Sequence, residues 1–76
     1  MSVESTVETI CALWSDLLAV QVSPDDDFFE LGGYSLLLMQ MVFQAEEAGL
    51  CLTPEQVVDH PTPRKLAEAI TVGTAG

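Results

Sequence analysis

Apolar residues at helical spacing in the first 18 positions constrain the fold of this chain more than any other feature. The intervals alternate between four and three residues along one stripe, which consists of Val3, Val7, Ile10, Trp14 and Leu17. This period places the stripe on one face of an α-helix and does not fit the alternation of a strand. We therefore predict an amphipathic helix over about residues 3–18, with Trp14 in the core.

The segment that follows is a long connection, because "SPDDD" does not continue a helix. Phe28, Phe29 and Leu31 lie in this connection, and we expect their side chains to be buried and to tie it to the core. Gly32 and Gly33 then break the backbone before the next apolar run.

Three more helices are predicted after this loop. The second begins at Ser35 and ends near Ala48, where Gly49 is a favourable stop. The third is short and lies in "LTPEQVVDH", where Thr53 and Gln56 form a capping box. The fourth begins after Thr62 in "HPTPRKLAEAI", again with proline in the first helical position.

The predicted fold class is all-α: a small four-helix bundle, with three longer helices, one short helix and a long first loop. We expect residues 1–76 to form a single domain with a core of about residues 3–71, and the last four residues, "GTAG", to be frayed. A domain of 76 residues has a thin core and a net stability of about 3–5 kcal/mol, so an enclosed substrate cavity is not expected.

The charge is strongly acidic, with 12 acidic and 2 basic residues and a net charge of −10. Such a surface repels nucleic acid and anionic membranes, so we expect neither as a partner. It suits partners with basic faces, although the charge also serves solubility alone. We find no signal peptide and no apolar run long enough to cross a membrane, which favours a cytoplasmic chain in which Cys11 and Cys51 are free, partly buried thiols.

The second helix carries two apolar stripes when residues are placed at 100° intervals from Ser35. The predicted inner face consists of Leu38, Met41, Val42, Ala45 and Ala48. Leu36, Met39 and Phe43 form a second stripe on the opposite side, which we call the outer stripe. Either the outer stripe is a partner surface, for which methionine is well suited, or the long loop folds over it.

Ser35 admits three interpretations. It is a suitable N-cap for the second helix. A hydrolase nucleophile is disfavoured, because "GYSLL" lacks the second glycine of a G-x-S-x-G elbow and the only histidine, His60, lies in a loop. Covalent attachment of a phosphate-linked group fits a helix N-terminus, and we expect Gly32 and Gly33 to leave room for a modifying enzyme.

The stretch "DDFFELGGYSLL", together with "LTPEQVVDHPTPRKLAEAI", resembles the acyl and peptidyl carrier proteins over about residues 5–71. The resemblance implies an acyl-carrier-like fold with no catalytic activity. It also implies that a phosphopantetheinyl transferase moves 4′-phosphopantetheine from coenzyme A onto Ser35. The docking positions implied by the resemblance are Leu36, Met39, Gln40, Phe43 and Glu47.

The G-G-x-S form is similar to the peptidyl carriers, which implies an aminoacyl cargo and a place in nonribosomal peptide or hybrid polyketide biosynthesis. The implied partners are an adenylating enzyme that loads the cargo and a downstream acyltransferase, condensation or ketosynthase partner. We expect a free-standing monomer. Tyr34 departs from the family, which mostly has His or Asp there, and we expect its ring to be half-buried. The alternative function is a non-covalent helical adaptor that binds partners through the outer stripe.

Two charged clusters carry smaller expectations. The acidic run at residues 25–27 does not fit an EF-hand, because the sixth and twelfth positions counted from Asp25 hold Glu30 and Leu36. We therefore expect a solvated acidic loop and no metal site. Arg64 and Lys65 are the only basic residues, and we expect them to pair with a nearby acid such as Glu68.

Overall fold

The computed structural model describes residues 3–72, which form four helices and no strand. The helices are α1 at Val3–Leu18, α2 at Ser35–Glu47, α3 at Pro54–Asp59 and α4 at Pro63–Val72. The predicted all-α architecture, with one short helix and a long first loop, is thereby confirmed. The expectation that residues 73–76 are frayed lies outside the described residues.

Helix α1 forms the centre of the bundle because its apolar stripe contacts two neighbours. It packs most extensively against α4 and also against α2, while α3 contacts α2 and α4. Ile10 and Trp14 are buried, and the Trp14 ring lies 4.8 Å from the Phe28 ring, measured between centroids. Helix α4 contributes Leu66 and Ile70 to the same core.

Local sequence signals set the helix ends as expected. Helix α2 ends in a Schellman motif, in which Gly49 has a φ of +88° and the Leu50 N–H donates to the Ala45 carbonyl at 2.8 Å. The capping box of α3 is present, since the Gln56 N–H donates to Thr53 Oγ1 at 3.3 Å and the Thr53 N–H donates to Gln56 Oε1 at 2.9 Å. These bonds satisfy backbone groups that a helix terminus otherwise leaves without a partner.

The two cysteines are free thiols, as predicted, but they differ in exposure. Cys11 is partly buried, and desolvation raises the pKa of its thiol above the usual range, with the nearby Asp26 charge acting in the same direction. Cys51 is exposed, so the prediction of partial burial is wrong there. Cys51 precedes α3 and lies between two buried leucines, Leu50 and Leu52, whose side chains take the inward positions.

Within residues 3–72, none of the helices combines the length and the apolar character needed to cross a bilayer.

Candidate functional site

The turn before α2 is built around Phe28. Its side chain is fully buried, and its N–H donates to the Pro61 carbonyl at 2.8 Å, which ties the loop to the connection between α3 and α4. The Phe28 carbonyl in turn accepts from the Gly33 N–H at 3.0 Å. Two bonds of one residue therefore fix the loop to the bundle and close the turn that leads to Ser35.

The neighbouring Phe29 is 39% exposed, so the prediction that it is buried is wrong. The space beside Trp14 is occupied by the Phe28 ring, and Phe29 stands at its edge with 5.5 Å between ring centroids. Only one of two consecutive aromatic side chains in this turn points into the core. Leu31 is partly buried and packs against the core, in line with the expectation.

The two glycines of the turn have different structural roles. Gly32 has a φ of +98°, a conformation that glycine adopts without steric cost, and open space lies where a Cβ would be. Gly33 is buried, and a Cβ there would overlap the Phe28 ring. The expectation that both glycines leave room for an approaching enzyme is therefore wrong for Gly33, because the ring fills that space.

Ser35 is the first residue of α2 and is exposed. The N-cap position belongs to Tyr34, which has extended backbone angles, and no side chain caps this end of the helix. The interpretation of Ser35 as the cap is therefore wrong, since a capping hydroxyl must lie one residue earlier to reach the N–H groups of the first turn. The Ser35 hydroxyl is left available for chemistry at a helix N-terminus.

The site has the chemistry that a phosphate ester requires. The free N–H groups of the first turn favour an anion beside them, and α2 has no acidic residue in this turn. No charged residue occurs between positions 31 and 45, although the chain has a net charge of −10. A phosphodiester on the Ser35 hydroxyl would meet favourable backbone dipoles without a neighbouring carboxylate on the helix.

Tyr34 projects away from the protein. Its residue is 74% exposed, so the prediction of a half-buried ring is wrong. An N-cap residue lies outside the helical spiral, and Phe28 already fills the space beside the turn. Tyr34 is thus an accessible aromatic side chain directly beside Ser35.

The outer stripe is exposed, which decides between the two alternatives that its helical phase left open. Leu36 is 71%, Phe43 is 61% and Met39 is 45% exposed, so the alternative in which the loop covers them is wrong. Gln40 and Glu47 are also exposed. The five predicted docking residues therefore lie in solvent on the helix that begins with Ser35.

The opposite face of α2 is mostly as predicted. Met41 and Ala45 are fully buried, and Leu38 and Val42 are partly buried against the core. Ala48 is exposed and does not belong to this face. It is the C-cap, where the backbone departs from the helical path that the prediction extrapolated.

Arg64 has a different partner from the one predicted. Arg64 Nε lies 3.0 Å from Asp25 Oδ1, so Arg64 pairs with a residue 39 positions away instead of with Glu68. This hydrogen bond lowers the pKa of Asp25 below its usual range, and the positive charge of Arg64 acts in the same direction. The Arg64 N–H also donates to the Pro24 carbonyl at 3.0 Å, which places both groups together.

The other carboxylates of this run serve the loop itself. Asp26 accepts from the Ser23 N–H at 2.9 Å, and Asp27 accepts from the Phe29 and Glu30 N–H groups. Within residues 3–72, no group of three histidine, cysteine or acidic side chains is arranged to hold a metal ion.

The anchoring of the turn through Pro61 is the feature of the site that sequence reasoning missed. In the sequence, the pair Pro61 and Thr62 before α4 indicated only the start of that helix. A backbone bond between residues 28 and 61 leaves no local pattern, because any residue other than proline can donate it.

Comparisons with known proteins agree with this geometry. The family model described as "phosphopantetheine attachment site" matches residues 8–70. Chondramide synthase of Chondromyces crocatus is 48% identical over 62 residues, which cover 80% of this chain and 2% of that protein. Novobiocin biosynthesis protein H of Streptomyces niveus is 39% identical over 66 residues, which cover 86% of this chain and 11% of that protein.

The solved structures include a similar domain of comparable size. A structure entitled "Non Ribosomal PCP domain" matches with a TM-score of 0.78 at 35% identity, over 82% of each chain. By contrast, the chain spans only a small part of the two curated relatives.

Proposed function

The chain belongs to the phosphopantetheine attachment-site family, and from this premise we propose that Ser35 is the residue that bears the 4′-phosphopantetheine arm. Its family and relatives make it a carrier domain of nonribosomal peptide or related secondary-metabolite synthesis. The observation that supports Ser35 is the exposure of this residue at the first position of α2, in a helix that uses no side-chain cap.

The attachment step needs a separate enzyme. The Ser35 Oγ attacks the coenzyme A phosphorus that bears the pantetheine, the P–O bond to the adenosine bisphosphate portion breaks, and the hydroxyl proton leaves. The only histidine of the chain, His60, is the C-cap of α3 and not a partner of Ser35. A phosphopantetheinyl transferase supplies the base, and the chain itself acts as substrate and not as enzyme.

When bound, the arm supplies a terminal thiol that holds an acyl or aminoacyl group as a thioester. The contribution of the chain is to orient the attachment oxygen and to stabilise the phosphodiester through the first-turn N–H groups. An aminoacyl cargo is favoured by the similar structure entitled "Non Ribosomal PCP domain" and by the peptidyl-carrier form of the G-G-x-S motif.

Partner docking is assigned to the outer stripe together with Gln40 and Glu47. The exposure of Leu36 and Phe43 supports this assignment, because two large apolar side chains on one helix in solvent are costly without a partner. The absence of charge over residues 31–45 favours an apolar contact, with Glu46 and Glu47 at its margin to attract basic residues.

The partners proposed for this surface act in sequence. They are the phosphopantetheinyl transferase, an adenylating enzyme that loads the cargo, and an acyltransferase, condensation or ketosynthase partner that receives it. Each contact is transient, which suits a monomeric carrier in the cytoplasm. The described residues then form one carrier domain.

The adaptor alternative shares the outer stripe but gives Ser35 no covalent role. The test is incubation of the purified, unmodified chain with coenzyme A and a broad-specificity transferase, followed by intact-mass measurement. We expect a gain of one phosphopantetheine on the wild type and none on Ser35→Ala, Ser35→Thr or Ser35→Asp, all with unchanged helical circular dichroism. Modification of Ser35→Ala would exclude this residue as the attachment site, and no gain on any folded form would favour the adaptor.

A further inference from the structure

Phe28 connects Ser35 to a distant part of the bundle. Its ring packs against Trp14, its N–H donates to the Pro61 carbonyl, and its own carbonyl accepts from Gly33. Gly33 is buried two residues before Ser35. The path from the α3–α4 connection to the serine therefore runs through a single buried residue.

The contact between Phe28 and Gly33 leaves no spare volume. A Cβ on Gly33 would overlap three ring atoms of Phe28, Cδ2, Cε2 and Cζ. The ring cannot withdraw easily, because it is fully buried and lies against Trp14 on another side. Close-packed interiors respond to added volume by shifts of the backbone, and the backbone that carries Gly33 is the turn that leads to Ser35.

We propose that Phe28 is a positioning residue for the modification of Ser35, acting through its contact with Gly33. The ring determines how far the turn lies from the core. The turn then determines the position of the serine hydroxyl relative to the first N–H groups of α2. This inference rests on the proposed attachment at Ser35. It assigns to the loop a role in presenting the nucleophile that is separate from docking by the outer stripe.

The matched variants are Gly33→Ala and Gly49→Ala, at opposite ends of α2. Gly33→Ala adds a methyl group into the Phe28 ring, whereas Gly49→Ala meets open space and is strained only by its positive φ. Both substitutions destabilise the chain, but only the first displaces the turn before Ser35. Phe28→Leu is a second variant that keeps an apolar side chain and removes the ring.

The primary measurement is the steady-state rate of phosphopantetheine transfer, well below the unfolding temperature of each variant. For Gly33→Ala and Phe28→Leu we expect kcat to fall about tenfold or more, because small misplacements of a reacting group have effects of this order. KM for the carrier should change less than about twofold, since the outer stripe is untouched. Gly49→Ala should keep both constants.

Two further measurements separate positioning from loss of stability. The double variant Phe28→Leu/Gly33→Ala should recover part of the rate lost by Gly33→Ala, because the overlapping ring atoms are gone. In the unmodified chain, hydrogen exchange at residue 33 should be faster in Phe28→Leu than in wild type and unchanged in Gly49→Ala. This second readout needs no transferase and applies even where Gly33→Ala folds poorly.

The outcomes are distinct. Equal loss of rate in Gly33→Ala and Gly49→Ala, or wild-type kcat in a folded Phe28→Leu, would overturn the positioning role while leaving Ser35 as the attachment site. If the wild-type chain is not modified at all, the proposed function itself is overturned. In Phe28→Leu, a raised KM with an unchanged kcat would assign Phe28 to docking and would equally overturn the inference.

Discussion

Helices α2 and α4 both pack against α1, yet their starts and outward faces differ. Helix α4 begins after Thr62, whose Oγ1 accepts from the Lys65 N–H at 3.2 Å. Its outward residues Arg64, Lys65 and Glu68 are charged. Helix α2 begins without a side-chain cap and turns Leu36 and Phe43 to solvent. Helix α4 has the features of a stabilising element, and α2 has those of an interaction surface.

This difference shows where a small domain accepts instability. A side-chain cap typically contributes about 1 kcal/mol, and apolar residues in solvent contribute no burial energy. The chain forgoes both in α2, where the candidate attachment and docking residues lie. It keeps them in α4, whose Leu66 and Ala67 are fully buried.

The largest difference between α4 and α2 is expected when one large apolar side chain is truncated in each helix. We expect Leu66→Ala to lower the free energy of unfolding by about 2–5 kcal/mol, because it leaves a cavity in the core. Phe43→Ala should lower it by less than about 1 kcal/mol, since the residue is 61% exposed. Chemical denaturation measures both.

Phe43→Ala should at the same time slow transfer to partner enzymes several-fold. A loss of several kcal/mol from this substitution would mean that the ring is part of the core and that the helical phase is wrong. Unchanged transfer would remove Phe43 from the docking surface.

The hydroxyl groups at the two helix starts provide a smaller contrast. Thr62→Ala should lower the free energy of unfolding by about 1 kcal/mol through loss of the cap, and leave modification of Ser35 intact. Ser35→Ala should leave thermal unfolding almost unchanged and abolish modification. Equal destabilisation by the two substitutions would indicate that Ser35 caps α2 after all.

Installing a side-chain cap on α2 should remove part of the difference between the starts of α2 and α4. Tyr34 occupies the N-cap with extended backbone angles and is 74% exposed, so Tyr34→Asn supplies a capping oxygen at little cost in burial. We expect a gain of up to about 1 kcal/mol in the free energy of unfolding, measured by thermal denaturation. Tyr34→Ala, which cannot cap, is the control and should give no such gain.

The ion pair at the start of α4 should give the weakest effect, because both side chains are largely exposed. The pKa of Asp25 is lowered from 3.8 by the Arg64 hydrogen bond, so the pair stabilises the fold above about pH 3.8. This contribution is lost as the pH falls below 3.8 through the lower folded-state pKa. A double-mutant cycle with Asp25→Asn and Arg64→Gln should show a small coupling at neutral pH.

Acid and salt provide the check on that coupling. The coupling should vanish at low pH, where Asp25 is protonated. It should also vanish in about 1 M salt, where screening limits the range of charge interactions. A coupling that persists in both conditions would show that it does not arise from the charges of the two side chains.

Much of the fold was predictable because it is encoded locally. Helical period placed α1 and both faces of α2, and the glycine stop after α2 and the threonine caps of α3 and α4 are short-range signals. The candidate Ser35 was predictable from the motif around it. That Tyr34 and not Ser35 occupies the N-cap position was not predictable, because Tyr34 gives no cap signal.

The amino-acid sequence by itself determined the four helices, the two apolar stripes of α2 and the serine at its start. Only the tertiary structure decided that Phe28 and not Phe29 enters the core, that Gly33 is required by a ring, and that Arg64 meets Asp25. The physical reason is range: periodicity and caps act within one helical turn or a few residues. The contacts that tie the loop to the bundle, Phe28 with Pro61 and Asp25 with Arg64, join residues more than 30 positions apart. They form only when the bundle brings the loop onto the start of α4.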